Sequence, residues 1–130
     1  MTSYFEKLRV LQAKAYAPYS NFRVASILVM SDGEEFSGVN VENASFGGTI
    51  CAERSSIVSA ISSRGSEGTF KEIHLLAGED FAMPCGFCRQ VMNEFVDEDF
   101  KIIVYNHLGE TQVCTMALLL PNSFSRENLI

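Results

Sequence analysis

The order of predicted elements along this chain is the feature that most narrows its fold. Apolar residues recur at helical spacing near the start, and apolar stretches bounded by turn residues then alternate with further helical segments. The predicted helices cover residues 3–17, 51–64 and 86–95, with a helical turn at 116–120, and the predicted strands cover 24–30, 35–41, 71–77, 101–105 and 112–114. This order is typical of α/β proteins. We therefore expect a three-layer α-β-α sandwich with helices on both faces of a mixed five-stranded sheet.

Size and composition fit one domain with a substantial core. Of the 130 residues, 47% are hydrophobic and 20% are charged, a balance outside the range of disordered chains. No repeat, linker or low-complexity segment divides the sequence. We predict a single domain over residues 1–130.

The charge balance excludes one large class of partners. The formal net charge is −6, whereas a protein that holds a run of phosphates needs clustered Lys and Arg. No apolar stretch approaches the ~20 residues that span a bilayer, and the first residues lack a basic segment followed by an apolar one. We therefore expect a cytoplasmic protein that binds a small uncharged molecule, with no polynucleotide or membrane partner.

Three of the four cysteines stand at the starts of predicted helices. Cys51 opens the second helix, and Cys85 and Cys88 form a Cys-x-x-Cys turn after Pro84 at the start of the third. Helix N-termini favour thiolates over thiols. Three thiolates on Zn²⁺ leave the fourth tetrahedral position for water, which is the arrangement of a catalytic site. The spacing predicts one zinc ion per chain, held by Cys51, Cys85 and Cys88.

Two charged residues follow the first of these cysteines. Glu53 is two residues after a predicted ligand, so its carboxylate can point past the metal towards the water and act as general acid and base. Three thiolates and Zn²⁺ sum to a charge of −1, which would blunt the acidity of that water. Arg54 is the predicted cation that balances this charge.

Other interpretations of the cysteines and histidines stay open on the residues alone. The Cys-x-x-Cys turn is also the arrangement of a redox dithiol, although that interpretation leaves residues 51–54 unexplained. A structural zinc site would need Cys114 as a fourth ligand, whereas its apolar surroundings favour a buried small hydrophobe. His74, in a predicted buried strand, and His107, in a predicted turn, are interpreted as structural or solvated.

The cysteine segments resemble those of a known family. Residues 51–54 read Cys-Ala-Glu-Arg and residues 84–90 read Pro-Cys-Gly-Phe-Cys-Arg-Gln, as in the small zinc-dependent cytidine deaminases. Segments 15–24, 40–45 and 119–124 are also similar to motifs of that family and occur in the same order. The resemblance covers roughly residues 8–130.

The resemblance implies an activity and an assembly. It implies hydrolytic deamination of free cytidine and 2′-deoxycytidine to uridine and 2′-deoxyuridine, with release of ammonia, in pyrimidine salvage. Glu53 would take a proton from the zinc-activated water and pass it to ring nitrogen N3 and then to the leaving amino group. The resemblance further implies a homotetramer whose sites are completed by neighbouring subunits.

Substrate contacts follow from the same resemblance. Asn40 and Glu42 would hydrogen-bond the ribose 3′-hydroxyl, Phe22 would flank the pyrimidine ring, and the backbone N–H of Ala52 would hold the O2 carbonyl. From a neighbouring subunit, Phe124 would pack on the base, and a segment that runs from Ala44 to Phe46 would line the 5′ end of the ribose.

The chain departs from the family pattern at three places. Phe46 replaces the usual Tyr, Ser26 stands in an Ala-Ser pair where Gly-Ala is common, and Gly48 replaces a larger apolar residue. Losing one hydrogen bond near the ribose changes the free energy of binding by ~0.5–1.5 kcal/mol. We expect this change to alter the preference for groups at the ribose 5′ position without abolishing the reaction. The remaining alternatives are a deaminase of pyrimidine-nucleoside analogues and a zinc-stabilised binding protein without turnover.

Overall fold

The computed structural model describes residues 2–130 and confirms the layered α/β architecture. Four α-helices and five strands are found in this part of the chain. The helices are α1 (Tyr4–Gln12), α2 (Ala52–Arg64), α3 (Gly86–Asn93) and α4 (Met116–Leu119), and the strands are β1 (Val24–Met30), β2 (Glu35–Val39), β3 (Phe70–Ala77), β4 (Lys101–Tyr105) and β5 (Thr111–Thr115). Short 3₁₀ turns lie at Phe46–Gly48 and Arg126–Asn128.

The sheet is mixed, as predicted. Its strand order is β2-β1-β3-β4-β5, with β3 and β4 parallel and every other neighbouring pair antiparallel. The parallel pair requires a crossover, and α3 supplies it. The interior strand β1 is buried on both faces, which explains its nearly continuous apolar sequence.

Each face of the sheet has its own core. On one face, side chains from α2, α3 and α4 such as Ile57, Met92 and Met116 pack against the strands. On the other face, Leu8 of α1 packs against alternate residues of β1. Within residues 2–130, no helix has the length and apolar character of a membrane span.

The first helix is shorter than the sequence predicts. It begins at a capping box formed by Ser3 and Glu6 and ends at Gln12, whereas the helical spacing extends to residue 17. The chain leaves the helix because Tyr16 exchanges backbone hydrogen bonds with the segment after β2: its N–H donates to Asn40 O at 3.0 Å, and its carbonyl accepts from Glu42 N at 2.8 Å. Ala15 and Ala17 are buried in this extended segment, so their apolar spacing mimics a helix.

The second helix lies very close to β2. A Cβ atom at Gly38 would lie 2.5 Å from both Ala52 O and Ser56 N, so only glycine permits this approach. Buried Ser26 of β1 also contacts the helix, with its Oγ 2.8 Å from Ala52 O. These contacts fix the start of α2 at the edge of the sheet where β3 ends.

Candidate zinc and catalytic site

Three cysteine sulfurs meet where α2 and α3 begin. Cys51 is the residue before α2, Cys85 is the residue before α3, and Cys88 lies in the first turn of α3. Their Sγ atoms all lie within 4.8 Å of one another. Zn–S bonds of ~2.3 Å in a tetrahedron separate sulfurs by about 3.8 Å, so the donor set fits Zn²⁺ after a small contraction. The sequence prediction that these three residues share one site agrees with their placement.

The electrostatics of the cluster favour a bound cation. A hydrogen bond from Cys88, together with the Arg54 guanidinium, lowers the pKa of Cys51 to about 5 despite its partial burial. The pKa of Cys88 is raised, because its thiol donates to Cys51, is buried, and lies near the Glu53 carboxylate. Thiolate sulfur is a soft ligand that suits zinc.

The fourth cysteine lies elsewhere. Cys114 is on β5, and its sulfur contacts the sulfur of Met83 at 3.9 Å. It is not a member of the sulfur cluster found among the described residues. The cluster therefore offers three thiol ligands, which suits a site with a fourth position open to a small molecule.

Glu53 lies beside the cluster in a buried position. It is in the first turn of α2 and only 5% of it is exposed. Burial raises the pKa of its carboxyl group, and the negative charge of Cys51 adds to this effect. A buried carboxyl group next to a metal site has the environment expected of a general acid and base.

Two arginines beside the cysteines have different surroundings. Arg54 donates from Nη2 to Thr49 O at 3.0 Å, and its guanidinium lies 4.7 Å from the centre of the Phe87 ring. Arg89 instead donates to two backbone carbonyls, Pro84 O at 2.7 Å and Leu119 O at 3.0 Å. Arg89 thus fixes the entry to α3 against α4, and Arg54 is the arginine that acts on the cysteine charge.

Glu42 is held by a turn that sequence reasoning did not single out. Its Oε1 accepts from the N–H groups of Tyr19 at 2.9 Å and Ser20 at 3.2 Å, and its Oε2 accepts from the Ser20 hydroxyl. The Ser20 Oγ also accepts from Phe22 N at 3.0 Å. One serine therefore orients two of the predicted substrate contacts. Its position two residues before Phe22 in the 15–24 motif is the signal that could have identified it.

Asn40 makes contacts that the sequence did not predict. Its side-chain oxygen accepts from Val24 N at 2.9 Å, and its side-chain nitrogen donates to Phe22 O at 2.8 Å. Asn40 therefore braces the segment that carries Phe22, with one N–H and one lone pair left for a ligand. Phe22 in turn lies over Gly78, where an added Cβ would be 2.9 Å from the ring.

The residues predicted to serve a neighbouring subunit are exposed in the single chain. Phe46 is 79% exposed and Phe124 is 59% exposed, while Ala44 is in the exposed loop before the 3₁₀ turn. The carbonyl of Phe124 accepts hydrogen bonds from Gln90 at 2.9 Å and Asn93 at 3.4 Å. Helix α3 thus fixes the backbone at Phe124 and leaves its ring at the surface.

Ala52 is fully buried at the first position of α2. The first N–H groups of a helix have no partner within that helix, so the N–H of Ala52 suits a ligand oxygen. Its place between Cys51 and Glu53 puts such a ligand beside the sulfur cluster.

Comparison with known proteins agrees with this geometry. A model of the family described as "Cytidine and deoxycytidylate deaminase zinc-binding region" matches residues 1–105. A cytidine deaminase of Halalkalibacterium halodurans is 41% identical over 118 residues, covering 88% of this chain and 86% of that protein. A probable cytidine deaminase of Dictyostelium discoideum is 42% identical over 123 residues, covering 92% of this chain and 80% of that protein.

A solved structure shares the fold over nearly the whole chain. The crystal structure of cytidine deaminase from Burkholderia pseudomallei superposes with a TM-score of 0.87 at 41% sequence identity, covering 95% of this chain and all (100%) of that one. The predicted fold and the predicted zinc cofactor are both confirmed. The chain belongs to the family of zinc-binding cytidine and deoxycytidylate deaminases.

Proposed function

We propose that this protein hydrolytically deaminates free cytidine and 2′-deoxycytidine to uridine and 2′-deoxyuridine in pyrimidine salvage. The observation that carries the proposal is the cluster of three cysteine sulfurs with buried Glu53 beside it at the start of α2. Membership of a zinc-dependent deaminase family supports the same reaction class. We further propose that residues 1–130 act as one domain and that the reaction takes place in the cytoplasm.

Cys51, Cys85 and Cys88 are the proposed ligands of one zinc ion. Zinc held by these three thiolates would supply water activation, the chemistry that attack at C4 of the cytosine ring requires. Glu53 accepts one proton of the attacking water and delivers it to ring nitrogen N3, then accepts the other from the new C4 hydroxyl and delivers it to the departing amino group. The C4–N bond breaks, a C4 carbonyl forms with oxygen from water, and ammonia leaves.

Neighbouring groups hold the substrate for this step. The N–H of Ala52 donates to the O2 carbonyl, and the ring of Phe22 packs against the base. The Glu42 carboxylate and the remaining N–H of Asn40 receive the ribose 3′-hydroxyl. Because Glu42 and Phe22 share the Ser20 hydroxyl, the sugar and base contacts are set by one turn.

Assembly completes the proposed site. We propose a homotetramer in which Phe124 of a neighbour packs on the base and its residues Ala44 and Phe46 border the ribose 5′ end. The exposed rings of Phe46 and Phe124 support this arrangement, because large apolar side chains at a surface are favoured at subunit contacts. A solution mass four times that of the 14.4 kDa chain is the expected result.

The substitution Glu53→Gln tests the mechanism. It keeps the shape of the side chain and removes its ability to exchange a proton, so turnover of cytidine should fall about 10²–10⁴-fold with zinc retained. Uridine formation and zinc per chain are measured on the same sample. Glu67→Gln, on an exposed turn, is the matched control and keeps wild-type turnover.

Wild-type turnover in zinc-loaded Glu53→Gln would contradict the role of Glu53. Zinc-loaded wild-type protein without cytidine turnover would contradict the proposed function itself.

A further inference from the structure

Phe87 has an unusual environment for an apolar side chain. It lies in the turn between Cys85 and Cys88 and is 67% exposed in the single chain, so packing in the chain's own core does not explain its position. The face of its ring instead meets the guanidinium of Arg54, whose central carbon is 4.7 Å from the ring centre. This distance is within the range of a cation–π contact.

Arg54 uses only part of its hydrogen-bonding capacity. Its Nη2 donates to Thr49 O at 3.0 Å, while its Nε is buried and has no hydrogen-bond partner within residues 2–130. The Cys51 sulfur accepts the other hydrogen bond of Arg54, and these two bonds still let the guanidinium rock about its long side chain. The Phe87 ring covers one face of the group and restricts that movement.

The contact joins two separate segments of the site. Arg54 lies in the first turn of α2 and hydrogen-bonds the sulfur of Cys51, the residue before that helix. Phe87 belongs to the other segment, at the start of α3, between Cys85 and Cys88. The two segments are far apart in the sequence. The contact between the Phe87 ring and the Arg54 guanidinium joins them beside the sulfur cluster.

We propose that Phe87 is a positioning residue: its ring holds Arg54 against the cysteine cluster and slows the loss of zinc. The inference rests on the proposed function, because it takes Cys51, Cys85 and Cys88 as the zinc ligands and Arg54 as their counter-charge. Phe87 does not touch the reacting atoms and acts through Arg54. A tyrosine at this position preserves the aromatic face, whereas leucine removes it and keeps an apolar side chain of similar bulk.

Zinc release from the holoenzyme into an excess of colorimetric chelator measures this role. An exposed cation–π contact is worth enough to change a rate about two- to fivefold, so Phe87→Leu should release zinc that much faster. Phe87→Tyr should release zinc at the wild-type rate. Leu108→Ala, on the exposed turn between β4 and β5, is a control for loss of a surface side chain and keeps the wild-type rate.

A double-mutant cycle separates positioning from general loosening of the turn. In an Arg54→Gln background, Phe87→Leu should cause no further acceleration, because the ring has no cation to hold. If Arg54→Gln does not retain zinc, Arg54→Lys serves as the background, since it lacks the planar group, and Phe87→Leu should then have a reduced effect.

The result that overturns the inference is equal acceleration by Phe87→Leu in both backgrounds, or wild-type release by Phe87→Leu. Cytidine turnover by the wild-type holoenzyme is measured alongside. Absence of cytidine turnover would count against the proposed function. Normal turnover, with additive effects of the Phe87 and Arg54 substitutions on zinc release, would count against the role of Phe87 alone.

Discussion

His74 is the most enclosed titratable group outside the cysteine site. Its ring stacks on Tyr4 of α1 with centroids 3.8 Å apart and planes 14° apart. Nδ1 lies 2.7 Å from the Tyr105 hydroxyl, and Nε2 lies 2.5 Å from a Glu72 carboxylate oxygen. Burial lowers the pKa of His74, an effect that outweighs the opposing attraction of Glu72 and Glu35.

This environment predicts a pH dependence of stability. The folded-state pKa of His74 is below the ordinary value of 6.5, so the unfolded chain binds more protons in the interval between them. The stability that depends on neutral His74 is therefore fully present above pH 6.5. It is lost as the pH falls from 6.5 through the folded-state pKa of His74. His74→Gln should flatten the fall of the unfolding midpoint in this range, measured by circular dichroism.

The control for this prediction is His107→Asn, which removes the other histidine from an exposed turn and should keep the wild-type pH dependence. An unchanged pH dependence in His74→Gln would assign the effect to other groups, of which Glu72, Glu35 and Lys71 lie nearest.

For individual residues, the sequence predicts which side chains carry the chemistry better than it predicts which side chains contact one another. Cys51, Cys85 and Cys88 are identifiable because their spacing and helix positions are local properties. The bond from the Ser20 hydroxyl to Glu42 joins two loops, and no spacing rule indicates which carboxylate reaches which turn. The same holds for the backbone contacts of Asn40.

Among the secondary-structure elements, α2 has the position that decides the geometry of the site. This helix carries Glu53 and Arg54 and follows directly after Cys51. Its first turns lie against β2 at Gly38, where Ala52 O and Ser56 N occupy the space of a side chain. A shift of α2 away from β2 would move the predicted base and one ligand together.

The substitution Gly38→Ala tests this dependence. The added Cβ would lie 2.5 Å from two backbone atoms that cannot rotate away, so the helix must move. Overpacking of this kind costs about 1–3 kcal/mol, and zinc per chain should fall with it. Thermal unfolding and zinc content are the measurements.

Gly47→Ala is the matched control, because nothing lies within 4 Å of a Cβ there, and its unfolding midpoint should match the wild type. One zinc per chain and a wild-type midpoint in Gly38→Ala would show that α2 tolerates displacement from β2.

Helix and strand order could be predicted because each element has a strong apolar period and clear turn residues at its ends. The end of α1 could not, because backbone pairing of Tyr16 with the loop after β2 competes with the helix. The close approach at Gly38 also escapes prediction, since a glycine in a strand has several explanations.

For the whole molecule, the sheet topology brings distant parts of the sequence to one edge. The start of β1 and the ends of β2 and β3 meet there, as the pairing of Val24 with Ala77 and of Ala25 with Val39 shows. The loop after β2 leads to Cys51, and the loop after β3 leads to Cys85. The α/β order predicts this convergence in outline, because ligands bind where such strands end.

The dependence of deamination on zinc is tested by measuring cytidine conversion and zinc content on one preparation of the wild-type protein. Chelator removes zinc in steps, and zinc is then restored, while uridine formation is followed by absorbance. We predict that conversion rises in proportion to bound zinc and saturates at one zinc per chain. Conversion that persists without zinc, or full zinc occupancy without conversion, would contradict this prediction.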